Sequence, residues 1–146
     1  MNAYTFILKS RTLFLLFILS FTMLTGAFSV SAQNIGDYRS IASGNWTALA
    51  TWQYYNGTSW VTPTGTNPQG YPGQYAGTGA VSIIGGYAVT LNASITNSIT
   101  SLTIGDGTFG ATIDQLRIPD QTSYLLSTPV VYIKDDGTEL WESAKG

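Results

Sequence analysis

The stretch AVSIIGGYAVTLNASITNSITSLTIGDGT, Ala80 to Thr108, decides how the rest of the chain is read. It is a series of short segments with apolar residues at alternating positions (Val81/Ile83, Val89/Leu91, Leu102/Ile104), separated by Gly or Asn/Ser turns. A period of two puts successive side chains on opposite faces, so each segment reads as a strand with one face toward a core. Gly, Asn and Ser between them supply the backbone reversals. A helical reading of Ile95, Ile99 and Leu102 fits by spacing alone. It is poor, because the intervening Ser, Thr and Asn side chains compete with the helix for backbone hydrogen bonds.

Self-similarity extends outward from this stretch. Val81/Ile83, Leu102/Ile104 and Tyr124/Leu126 recur at offsets of 21 and 22 residues. Val89/Leu91, Ala111/Ile113 and Val131/Ile133 recur at 22 and 20, and Ile95/Asn97, Leu116/Ile118 and Thr138/Leu140 form a weaker third series. Three strands recurring at a near-constant interval suit stacked units, each burying its apolar side only against the next. The expectation is an all-β chain: a short right-handed parallel β-helix-like solenoid of about three rungs over residues 80–146. A small β-sandwich with similar strand spacing is the alternative.

Upstream lies a different composition. Residues 33–79 hold Tyr38, Trp46, Trp52, Tyr54, Tyr55 and Trp60, then the loop Thr62–Gly79 with Pro63, Pro68 and Pro72 and five glycines. In TWQYYNGTSWV, Thr51 to Val61, the Asn56-Gly57 dipeptide predicts a two-residue hairpin turn. That register pairs Tyr55 with Thr58, Tyr54 with Ser59, Gln53 with Trp60 and Trp52 with Val61. Alternation then sets Trp52, Tyr54 and Val61 on one face and Tyr55 and Trp60 on the other. Residues 33–79 are therefore read as an aromatic hairpin cap and a Pro/Gly loop. The rings are either buried anchors or platforms that stack on sugar. On the second reading the ligand-binding residues are Trp46, Trp52, Tyr54, Trp60, Tyr71 and Tyr75. The Asn-X-Ser/Thr triplets at Asn45, Asn56 and Asn92 read as glycosylation acceptors in a eukaryote and as turn chemistry in a bacterium.

The N-terminus is set apart from the fold. Lys9 and Arg11 precede the apolar run LFLLFILSFTML, Leu13 to Leu24, and small residues Val30 and Ala32 stand at −3 and −1 of a cleavage point. Residues 1–32 thus read as a secretory signal peptide, the apolar run being short for a membrane span of about 20 residues. The expected product, residues 33–146, carries four basic and eight acidic side chains. That balance argues against nucleic acid and against an anionic membrane surface as partner. With no cysteine anywhere, an exported chain must hold its core by burial alone.

Catalytic chemistry finds few candidates. There is no histidine and no cysteine, which removes Ser-His-Asp machinery, thiol nucleophiles and most zinc sites. Gly105-Asp106-Gly107 lacks a phosphate-cradling pattern, and Lys134-Asp135-Asp136-Gly137-Thr138-Glu139 lacks the alternating acids of a calcium loop. The residues point to no catalytic group, no metal site and no cofactor.

The segments YRSIASGNWTALATWQYYNGTSWV and YPGQYAGTGAVSIIGGYAVTLNASITNSITSLTIGDGT resemble the N-terminal region of large secreted surface proteins of Bacteroidota. There a "SGNW…ATW" segment precedes strands of the form V-x-I-x-x-G-x-x-V-T-L and I-x-S-L-T-I-G. The strand part is also similar to the eight-glycine β-domain of surface proteins. The resemblance covers about Asp37 to Thr108. It implies a β-helical, adhesin-like, non-enzymatic protein, exported by the type IX route, secreted or held at the cell surface. Polysaccharide or another surface protein would be its partner. Such proteins usually continue for hundreds of residues, so beside them this chain looks like an N-terminal fragment, a truncated reading frame or a stand-alone remnant.

Overall fold

A computed structural model describes residues 32–107, 112–120 and 123–134, and the backbone of residues 137–141. Contacts divide the chain after Ala32, and the second unit, residues 33–146, carries the fold. The expected leader, residues 1–32, lies outside the described residues except for Ala32.

The unit is mostly strand with almost no helix. In chain order the strands are β1 (Tyr38–Ser40), β2 (Gly44–Asn45), β3 (Trp52–Tyr55), β4 (Trp60–Val61), β5 (Ala80–Ile83) and β6 (Ala88–Thr90). There follow β7 (Ser101–Ile104), β8 (Asp114–Ile118), β9 (Val131–Ile133) and β10 (Gly137–Trp141). One 3-10 turn, Leu49–Thr51, is the helical element among the described residues. The strands form a six-stranded sheet in the order β4-β3-β1-β5-β7-β9 and a four-stranded sheet in the order β10-β8-β6-β2. From β5 on, the chain alternates between the two sheets, and each strand adds parallel to the one before it in its own sheet. Among the described residues the antiparallel pairings are those of β3, with β4 in the hairpin and with β1.

The alternation read in the sequence sorts the core. Val81, Ile83, Leu102 and Ile104 from one sheet and Val89, Leu91 and Leu116 from the other are buried, with Ile95 and Ile99 between them. Each aliphatic side chain so buried contributes about 1.5–3 kcal/mol relative to exposure. Ile95 pairs in parallel with Leu126, a single bridge outside the named strands.

Of the expected repeats, the first step holds: Val81 pairs with Leu102 and Ile83 with Ile104. The next does not. Leu102 pairs with Val131, a step of 29 residues, and not with Tyr124; Leu126 instead meets Ile95. Val89 pairs with Leu116, a step of 27, and not with Ala111/Ile113. Ala111 lies outside the described residues, and Ile113 is exposed. Leu116/Ile118 therefore pair with the Val89 series and not with Ile95/Asn97, and Glu139 and Trp141 face them one register position beyond the expected Thr138 and Leu140. The cause is the long connection between Ile104 and Asp114. A constant offset cannot follow strands whose linkers differ in length, and a one-residue slip exchanges the faces.

The cap region joins the strands through side chains as well as backbone. Tyr38 pairs with Val81 and Arg39 with Ser82. Beyond the ends of this short ladder, Asp37 Oδ1 accepts from the Ala80 amide at 2.8 Å. Ser40 Oγ accepts from the Ile84 amide and donates to its carbonyl, each at 2.8 Å. Polar side chains thus replace ladder bonds that a three-residue strand is too short to make.

Candidate functional site

The six aromatic residues proposed from the sequence as sugar platforms do not share one surface. Trp46 and Trp52 are fully buried and Tyr54 nearly so. Their environment explains why. Trp46 donates its indole N–H to the Pro72 carbonyl at 2.8 Å, and Trp52 donates to the Trp46 carbonyl at 2.7 Å. Tyr38, buried beside Tyr54 with ring centroids 5.3 Å apart, donates its hydroxyl to the Gly70 carbonyl at 2.9 Å. Burial, with the neighbouring Tyr54 adding to it, pushes the Tyr38 phenol well above tyrosine's ordinary ionisation range. Each ring buries a large apolar area while its polar end finds a loop carbonyl. Trp46, Trp52 and Tyr54 therefore offer no ring face to a ligand, which corrects their assignment as stacking platforms.

Tyr71 and Tyr75 belong to the Pro/Gly loop and pin it. Tyr71 is half-buried against the core, and Tyr75 donates its hydroxyl to the Gly65 carbonyl at 3.1 Å. The same loop is held from the other side by Asn97, whose amide donates to the Gly73 and Gln74 carbonyls at 3.2 and 3.0 Å. The prolines and glycines that suggested an irregular loop thus form a lid over the end of the core. Gly73 shows how closely it sits: at φ +76° it passes Ile95 so tightly that a Cβ would run into Ile95 Cγ2.

The sixth residue, Trp60, behaves differently. In the hairpin, Tyr55 pairs with Trp60 and Tyr54 with Val61, so the reversal centres on Gly57-Thr58 and not on Asn56-Gly57. Asn56 has moved from the turn centre to its first corner, where its Oδ1 accepts from the Thr58 and Ser59 amides, each at 2.9 Å. Gly57 takes the positive φ of +96°. The register differs from the expected one by two residues, an even shift that leaves the faces unchanged. Tyr54 and Val61 turn inward, and Tyr55 and Trp60 turn outward with centroids 5.3 Å apart and planes tilted by 55°.

Around Trp60 the outward face of the six-stranded sheet assembles groups that lie far apart in sequence. The Arg39 guanidinium carbon stands 4.5 Å from the centre of the Trp60 ring, and its Nε donates to Gln53 Oε1 at 2.9 Å. Strand register then sets Arg39 beside Ser82, Ser82 beside Thr103 and Thr103 beside Tyr132, which is exposed. Trp60 alone was singled out from sequence. Arg39, Gln53, Ser82, Thr103 and Tyr132 carry no local motif, and only the strand pairing brings them into one row. Within the described residues, no three acidic side chains come together as a cation site, and Asp135 and Asp136 lie outside them. Comparison with family models, with curated proteins and with solved structures finds no match for this chain.

Proposed function

We propose that the chain is a non-enzymatic secreted or cell-surface module: a short β-solenoid behind an aromatic cap, forming the N-terminal part of an adhesin-like protein. One contrast carries this reading, that between the two ends of the parallel ladders. At one end, buried Tyr38, Trp46, Trp52 and Tyr54 and the hydrogen-bonded Pro/Gly loop close the core. At the other, Val131 and Ile133 occupy the register positions of buried Leu102 and Ile104 yet are 41% and 52% exposed. Among the described residues, a stack with one end closed and the other exposing its apolar register positions suits a module that starts a longer stack and presents further rungs or domains. Growth by parallel addition favours the solenoid over a sandwich, whose sheets are antiparallel. A chain without histidine or cysteine, with Trp46 and Trp52 spent on the core, is suited to adhesion or display and not to turnover.

The carbohydrate-binding alternative keeps one specific observation, the outward Tyr55–Trp60 pair beside Arg39. It loses the row of coplanar rings that Trp46, Trp52 and Tyr54 were expected to supply.

Location and processing test the reading directly. A C-terminally tagged chain expressed from its own gene should begin at Gln33 and be released or be removed by protease added to intact cells. Deleting the gene should reduce attachment of the cells to a surface. A chain retained inside the cell with residues 1–32 still attached would overturn the proposal.

A further inference from the structure

The outward face of the six-stranded sheet combines a cation with a floor of hydroxyls. Arg39 is held in place by the Trp60 ring below it and by Gln53 at its Nε, but no carboxylate among the described residues pairs with it. The nearest acid in sequence, Asp37 just before the strand, is buried, and its two oxygens accept from the Asn34 amide at 2.7 Å and the Ala80 amide at 2.8 Å. The guanidinium therefore keeps its remaining N–H groups for something outside the fold. Such an uncompensated charge is notable on an expected mature chain with four bases and eight acids. A planar guanidinium already oriented by a ring matches a carboxylate in two parallel hydrogen bonds, and little further ordering is needed to form them.

The strands next to Arg39 supply the rest of a surface. Ser82 and Thr103 succeed it across the sheet in register, and within the described residues neither hydroxyl has a protein partner. Tyr132 ends the row and is 55% exposed. Three strand spacings, about 14 Å, separate the backbones of Arg39 and Tyr132, and the guanidinium itself leans toward Gln53 and Trp60 at the far wall. Between them the outward residues are small, Ala80 and Ser82 on β5 and Ser101 and Thr103 on β7, so the floor lies lower than its two ends. A floor of hydroxyls, a guanidinium at one wall and an aromatic ring at the other are the complement of a sugar chain bearing carboxylates. Its hydroxyls would meet Ser82 and Thr103, its acid Arg39, and one ring face Tyr132.

From this geometry we infer that the Arg39–Ser82–Thr103–Tyr132 face binds an acidic polysaccharide, with uronic carboxylate read by Arg39. The inference rests on the reading of the chain as an exported surface module and names the ligand of that module. It shifts the binding residues away from the buried rings to a row of which Trp60 is only the support.

The test uses the exported chain harvested from the secreting cells, passed over immobilised polygalacturonate, its fully methyl-esterified form and polyglutamate. Retention on polygalacturonate alone, weakening as salt is raised, is expected. Arg39→Gln should lower the affinity at least tenfold, and Tyr132→Ala and Thr103→Val severalfold each, with the urea midpoint of Thr103→Val unchanged. Equal retention on the methyl ester would overturn the role given to Arg39, and equal retention on polyglutamate would overturn sugar as the ligand. No retention on any column would overturn the binding face while leaving export, measured separately by protease accessibility, intact. Failure of export itself would instead remove the reading beneath it.

Discussion

Trp52 donates its indole N–H to the backbone carbonyl of Trp46 at 2.7 Å, and the two rings meet edge to face with centroids 5.1 Å apart. Trp46 passes the connection on, donating to the Pro72 carbonyl in the loop that covers it. Two tryptophans six residues apart thus tie the hairpin, the β2 turn and the Pro/Gly lid into one cap. Trp52→Ala should cost about 3–5 kcal/mol through the lost packing and the cavity. Trp46→Phe keeps most of the apolar area but strands the Pro72 carbonyl, for a loss of about 1–3 kcal/mol. Urea unfolding midpoints of residues 33–146 measure both. A Trp52→Ala chain as stable as the parent would show that the tryptophan pair does not anchor the cap.

Gly73 and Gly77 separate crowding from backbone strain. Both have positive φ, +76° and +89°, so alanine at either is strained by about 1–2 kcal/mol. At Gly77 nothing lies within 4 Å of a new Cβ, whereas at Gly73 it would strike Ile95. Gly73→Ala should therefore lose about 1–3 kcal/mol more than Gly77→Ala. Equal losses in thermal or urea unfolding would mean that the lid can lift away from Ile95 without cost.

Ile104 and Ile133 stand side by side in register but differ in burial, 0% against 52% exposed. Ile104→Ala should destabilise by about 2–5 kcal/mol. Ile133→Ala should cost well under half of that, because much of its side chain already meets solvent. A loss at Ile133 as large as that at Ile104 would show that the β9 end is covered in solution, which removes the contrast on which the proposed function rests.

Tyr38 makes alkaline stability testable. Its folded phenol ionises above tyrosine's ordinary value of about 10, first because it is desolvated and second because Tyr54 is adjacent. The folded state therefore holds this proton more tightly than the unfolded state. Its contribution is fully present below about pH 10 and is lost as the pH climbs from there through the folded value. Stability should fall with pH above about 10, and Tyr38→Phe should flatten that fall while lowering stability at neutral pH through the lost bond to Gly70. An unfolding free energy with the same alkaline slope in both chains would contradict the assignment.

The fold was legible where strand and turn chemistry are local. Val81/Ile83 and Leu102/Ile104 declare themselves by alternation, and the inward and outward faces of the Tyr54–Val61 hairpin agree with it even though the turn is displaced by one residue. Past Gly105 the same method fails. Tyr124/Leu126 match the expected spacing and Val131/Ile133 do not, and nothing local reveals that the longer linker between β7 and β8 shifts the register. The site was less legible still. Trp and Tyr are equally good as core anchors and as ligand platforms, so composition nominated Trp46 and Trp52 for a surface role that their burial denies them.

Sequence alone determined that this is a β-rich chain with a period-two core, that an aromatic segment and a Pro/Gly segment precede it, and that catalysis by histidine or cysteine is closed to it. Those properties belong to single residues and their nearest neighbours. Tertiary structure decided which rings are buried, which strands pair and which side chains share the outward face. Parallel strands bring together residues such as Arg39 and Ser82, 43 positions apart, and no short-range pattern encodes the length of the chain between them. The stretch from Ala80 to Thr108 set the alternation, and the pairing of Leu102 with Val131 beyond it set the surface.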